Sequence, residues 1–282
     1  MAQLTFIVNR KLIKYIIFIP FLIGMSILLH NCNSIEPVTS TKIESKINIK
    51  FYESYPDNET GQPRIYLSIV TDKSYGCCNY GFNYSSVIKG NNITLTLYGI
   101  SEPDICLTAI GPATESILLD LPNGMYNFRI VINNTQDNYQ VNVSDKSIYI
   151  KPYSNHNSYA QYENYFRYPA NSFVYLCGTN LNSKYIWEDF LDTLKSKINI
   201  TEYKFPEGGQ KPYPEIMQGH YYERPAKYFT YTSEEEFDKI SRIMDAYIKN
   251  HANDIDGVGI CVTNWLNKSF YSWKSINVPA KH

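Results

Sequence analysis

Between residues 46 and 150 apolar side chains alternate with polar ones at a period of two, in short runs separated by turn-forming residues. Successive side chains on a strand point to opposite faces, so each run buries one face and wets the other. Eight strands are predicted, at 46–52, 64–72, 82–89, 92–98, 114–120, 125–132, 139–143 and 147–150. The helical period is absent from this region. Gly90-Asn91, Asn123-Gly124 and Asn133-Asn134 stand between runs, and these residue types accept the positive φ that tight hairpins demand. Short strands at this spacing argue for an all-β sandwich.

Residues 151–170 mix Pro152, Asn155, Asn157 and Pro169 with polar and tyrosine side chains, keep no sustained period, and are predicted to be linker. From residue 171 the pattern changes. An apolar run at 172–177, stopped by Gly178, suits a strand. Ile186, Trp187, Phe190, Leu191, Leu194 and Ile198 then recur at helical spacing, with Asn182 or Ser183 placed to cap the start. A second helix opens on Ser233-Glu234-Glu235-Glu236, a capping-box pattern, and carries Phe237, Ile240, Ile243, Met244, Tyr247 and Ile248 on one stripe. Its three glutamates lie where the helix dipole favours negative charge, which makes them a cap and not a cation site. Strands are predicted at 199–205, 227–232 and 258–263, with 268–273 as a hairpin partner of the last. The order β-α-β-β-α-β is that of the split βαβ, ferredoxin-like α+β arrangement, and right-handed crossovers would put both helices on one face. The 206–226 connection, rich in Gly and Pro, is too long for a compact version of that fold, and loops of this length are usually functional or disordered.

The first residues are of another kind. Arg10, Lys11 and Lys14 precede an apolar run from 15 to 29, and no acid occurs before Glu36. This is the layout of a signal peptide, and the run is shorter than the roughly 20 residues that span a bilayer. It ends in Leu29-His30-Asn31-Cys32, which resembles the lipobox of bacterial lipoproteins, although His30 and Asn31 stand where small residues are usual. The resemblance implies cleavage before Cys32, lipid on Cys32, and a chain anchored in a bacterial cell envelope. The expected organisation is signal peptide 1–31, tether 32–45, sandwich 46–150, linker 151–170 and α+β domain 171–282. The segment Leu119-Asp120-Leu121-Pro122-Asn123-Gly124-Met125-Tyr126 resembles the strand-E to strand-F corner of immunoglobulin-like domains, in which a Tyr just after the turn returns its hydroxyl to the backbone. This implies an immunoglobulin-like sandwich and says nothing about a ligand.

Charge narrows the partners. Lys and Arg number 26 against 27 Asp and Glu, and removal of 1–31 takes three bases and no acid, leaving 23 against 27, a net of −4. A chain that lives on nucleic acid needs a phosphate-neutralising surplus, so nucleic acid is excluded as a partner. Five cysteines remain beyond Cys32. An exported chain can keep disulfides, and Cys106 is expected to pair with one of the adjacent Cys77 and Cys78, the alternative being a vicinal redox or soft-metal pair. Cys177 and Cys261 fall on neighbouring strands of the second domain and either pair across the sheet or act as small buried apolar residues.

No HExxH, GxSxG, Walker A or GxGxxG pattern occurs, so no catalytic residue, metal ligand or cofactor is assigned. The candidate binding residues lie in the long loop: Tyr213 and the run His220, Tyr221, Tyr222, Glu223 and Arg224, which could line a polar-aromatic pocket. A Cys177–His220 nucleophile and base is disfavoured because Cys177 sits in an apolar strand, where a thiol is inert. The sequence therefore argues for a non-enzymatic envelope lipoprotein that acts as a binding or structural module, with envelope protein or glycan as its partner. The alternative is a hydrolase-type enzyme with its site under the 206–226 loop.

Overall fold

The computed structural model describes residues 41–56, 59–251 and 254–274, so the expected signal peptide, Cys32 and most of the expected tether lie outside the described residues. The protein is mostly β, with two helices among the described residues. The described residues form one compact unit.

All eight strands of the first region are present: β1 (Ile47–Ser54), β2 (Arg64–Tyr75), β3 (Gly81–Lys89), β4 (Asn92–Ser101), β5 (Gly111–Leu118), β6 (Gly124–Ile132), β7 (Thr135–Val143) and β8 (Ser147–Ser154). Two more follow, β9 (Ser158–Ala160) and β10 (Asn164–Phe166). One sheet has the order β5-β2-β1-β9 and the other β10-β8-β7-β6-β4-β3. Their inner faces share one core, in which Ile47, Ile49 and Phe51 of β1 meet Phe128, Ile130 and Tyr139 of β6 and β7. The alternation in the sequence is the burial alternation itself, as in β1, where every second residue is buried. Asn133 and Asn134 take positive φ, and Ile132 pairs directly with Thr135, so the β6–β7 connection is a two-residue loop. The Tyr126 hydroxyl donates to the Pro122 carbonyl at 2.7 Å, closing the corner before β6.

Two expectations need correction. Residues 151–170 are not a linker: β8 extends to Ser154, β9 pairs in parallel with β1, and β10 pairs with β8, so this stretch is built into both sheets. The cause is a buried carboxylate. Asp137 accepts hydrogen bonds from the backbone of His156, Asn157 and Ser158 and from the Ser158 hydroxyl, which fixes the chain as it crosses between sheets. Residues 41–45, expected to belong to the tether, are built into the sandwich: Ile43 is buried in its core, Thr41 bridges Ile100, and Glu44 pairs with Lys73.

The remainder is a third sheet with the order β12-β14-β11-β15-β16, comprising β11 (Ser172–Thr179), β12 (Ile200–Tyr203), β14 (Lys227–Tyr231), β15 (Gly259–Asn264) and β16 (Ser269–Tyr271). A two-residue strand, β13 (Tyr222–Glu223), adds to β11 beyond the end of β14. Helix α1 (Ile186–Lys197) follows β11, and α2 (Glu234–Asn250) follows β14. Both helices pack on one face, where Phe173, Tyr175 and Cys177 meet Phe190, Leu194, Phe237 and Met244. Ser233 caps α2 through the Glu236 N–H, while Glu236 turns its carboxylate to the Asn199 N–H, so half of the expected box is made. Helix α1 has no side-chain cap at all: its N-cap is Tyr185, and Ser183 donates its hydroxyl to the Asp254 carbonyl.

The long loop covers the opposite face of this sheet. Tyr213 and Met217 from the loop join Val174, Leu176, Tyr228 and Cys261 in a second, smaller core. Gln210 also bonds in both directions to β10, through Asn164 and Phe166. The unbroken apolar run Phe173–Cys177 within β11, a strand buried at all eight positions, is what cover on both faces requires.

Candidate functional site

The loop residues singled out from the sequence are drawn apart by the strand they join. Tyr213 is 4% exposed and its hydroxyl pairs with Ser172, so it belongs to the core and not to a binding surface. Tyr222 pairs with Thr179 and Glu223 with Gly178, which sends their side chains to opposite faces. On the helix side Lys184 lies 3.7 Å from the centroid of the Tyr222 ring, and Arg224 lies over the Trp187 ring of α1. On the loop side Glu223 accepts from the Gly219 N–H at 2.9 Å. Tyr221 is 77% exposed.

His220 occupies a place shaped for it. Gly178 of β11 and Gly259 of β15 are directly paired, and a Cβ on either would fall 2.3 Å and 2.6 Å from the His220 ring. Two bare positions side by side leave a slot that the imidazole fills, its Cγ and Nδ1 against Gly178 and its Nε2 and Cε1 against Gly259. A methyl group at either position would have to displace the ring and the loop behind it. The slot opens into a groove of about 690 Å³ lined by Met217, Gln218, His220, Tyr221, Trp273 and the chain from Gly257 to Gly259. Tyr221 and the half-exposed Trp273 are its aromatic rims.

The chemistry of this groove is limited. His220 Nδ1 is buried and has no hydrogen-bond partner among the described residues. Cys177 lies in the core between sheet and helices, whereas His220 lies on the loop face, so the pair cannot act together. Burial pushes the Cys177 thiol up to about 11, which keeps it protonated at neutral pH. No group of three or more His, Cys, Asp or Glu that could hold a metal occurs among the described residues.

The cysteines sort by face and exposure. Cys77 and Cys106 form a disulfide, and Cys78 is exposed and free, so the vicinal pair is not joined. Cys177 and Cys261 do not pair. Cys177 stands opposite Ile260 and Cys261 opposite Leu176, one step out of register, and the thiols point to opposite faces.

Met217, Gln218 and Trp273 were not singled out in the sequence. The glycines that end the apolar runs, Gly178 and Gly259, were the available signal, since a glycine in a strand marks a close approach of another group. Comparison of the chain with family models, with curated proteins and with solved structures returned no match.

Proposed function

We propose that the protein is a non-enzymatic lipoprotein of a bacterial cell envelope, held by lipid on Cys32, whose α+β part offers the His220 groove to an envelope glycan. The observation that carries this is the groove itself. It is open, it is rimmed by Tyr221 and Trp273, and the His220 Nδ1 is buried without a hydrogen-bond partner among the described residues. A binding groove needs aromatic faces and a few polar groups, and Gln218 and His220 supply them.

The strand order β12-β14-β11-β15, antiparallel throughout with both helices on one face, supports the ferredoxin-like reading of this part. The Tyr126 corner supports an immunoglobulin-like relationship for the sandwich, while the parallel β4–β6 pair is a departure from the antiparallel sheets of that fold.

The test is co-sedimentation with peptidoglycan sacculi. Tyr221→Ala should weaken binding by ~1–2 kcal/mol while leaving the melting temperature within a degree or two, because its side chain is exposed, and Trp273→Ala should weaken binding by a similar amount with some further loss of stability from its packing on Tyr271. Turnover of ester, phosphate or glycoside substrates that disappears in His220→Ala would overturn the reading in favour of a hydrolase.

A further inference from the structure

The sandwich carries an apolar tip that its own fold does not explain. Between β4 and β5, Ile105, Leu107 and Ile110 are 77%, 55% and 81% exposed. Isolated exposed aliphatics are ordinary, but three in six residues on one turn form a patch, and such patches mark interaction sites. The turn is held from behind. Cys106 is tied to Cys77, and the Asn79 side chain donates to the Ile105 carbonyl at 2.7 Å and accepts from the Leu107 N–H at 3.1 Å. The Ala109 N–H donates to the Leu107 carbonyl. The Ile105 carbonyl, both backbone groups of Leu107 and the Ala109 N–H are thus bonded within the protein, which lowers the cost of bringing the turn into a less polar medium.

The position of the tip indicates what covers it. Thr41 bridges Ile100, one residue before β4 ends and the loop begins. The chain therefore enters the sandwich at the pole that carries the tip. Nine peptide steps separate Thr41 from Cys32, a reach of at most roughly 30 Å. The tip holds no Trp, Tyr or Arg, the residues that anchor protein partners, and its flanking charges, Glu102 and Asp104, are acidic.

We infer that the 105–110 turn is a membrane-contact tip that inserts its aliphatic side chains into the interface of a zwitterionic phospholipid bilayer, orienting the protein on the membrane to which Cys32 attaches it. The inference rests on the lipid anchor for its geometry. Its contact is hydrophobic and independent of salt.

The experiment uses the full chain on phosphatidylethanolamine–phosphatidylcholine vesicles with and without brominated acyl chains. An Ile110→Trp reporter is read after subtracting the unsubstituted chain, which has Trp187, Trp265 and Trp273. Met125→Trp is the control, because β4 and β6 run in parallel and the start of β6 lies at the opposite pole. The Ile110→Trp emission should fall at least twofold on brominated vesicles at low and high salt, the control should be unaffected, and adding Ile105→Asp with Leu107→Asp should restore the signal. An unquenched Ile110→Trp on chains that float with the vesicles overturns the inference, as does equal quenching of the control. Self-association that protects the reporter from an aqueous quencher would assign the tip to a second copy instead and also overturn it. Palmitate labelling lost in Cys32→Ala tests the anchor separately. Labelling without quenching removes the tip and keeps the anchor, and quenching without labelling does the reverse.

Discussion

Glu53 has a side chain only 2% exposed, and it accepts from Arg167 Nε and from the Tyr168 N–H, both at 2.7 Å. Burial raises its carboxyl above the ordinary 4.5, although Arg167 and the Tyr168 N–H pull the other way. The folded protein therefore holds that proton more tightly than the unfolded chain, and this group's contribution to stability falls as pH rises from about 4.5 through the raised value. Arg167→Ala leaves the carboxylate buried without its cation. It should cost ~3 kcal/mol at neutral pH, and the decline with pH should steepen and extend upward. Urea midpoints between pH 4 and 8 measure both, and a pH-independent loss would show that Glu53 stays ionised throughout. None of this was legible beforehand, because Glu53 and Arg167 are distant in sequence and each occupies an unremarkable position in its run. The same limit applies to Tyr213 and Tyr221. Both are loop tyrosines among Gly and Pro, and only the pairing of the sheet decides that one is core and the other rim.

Elements with many residues were legible because their periodicity repeats. Every strand from β1 to β8 and both helices fall where alternation or the 3.6-residue stripe placed them. Strands of three residues cannot establish a period, which is why β9 and β10 were read as linker. Their order comes instead from Asp137, a carboxylate on the inward face of β7, where an alternating strand should carry an apolar residue. That break in the pattern was the available signal. Asp137→Ala removes the acceptor for three backbone N–H groups and one hydroxyl at once, at a cost of ~2–4 kcal/mol. The damage should be local before it is global: amide exchange at 156–160 should accelerate by more than that of β6 or β7. Uniform acceleration across the sandwich would mean that Asp137 supports the core and not the crossover.

At the scale of the whole molecule, the sandwich and the third sheet meet through specific polar contacts and aromatic packing. The Tyr55 hydroxyl donates to the Trp265 carbonyl at 2.8 Å, the Gly61 N–H to the Leu266 carbonyl at 3.0 Å, and Asn267 Nδ2 to the Glu59 carbonyl at 3.2 Å. The rings of Tyr55, Tyr168 and Tyr213 form a chain with centroid separations of 5.5 Å and 4.7 Å, and burial pushes the Tyr168 hydroxyl up to about 12. Gln210 adds its backbone to the β10 edge, so the loop that covers one face of the third sheet is also hydrogen-bonded to the sandwich. A unit joined in this way should unfold in one step, since opening the seam would expose buried tyrosines and strand a hydroxyl and several amides without partners. We expect a single calorimetric transition whose van't Hoff and calorimetric enthalpies agree. Protease at low concentration should spare 151–170, where β9 and β10 are paired, until the whole unit opens. Two resolved transitions, or an early cut in that stretch that yields two stable fragments, would show that the two parts fold independently and that the seam adds little to either.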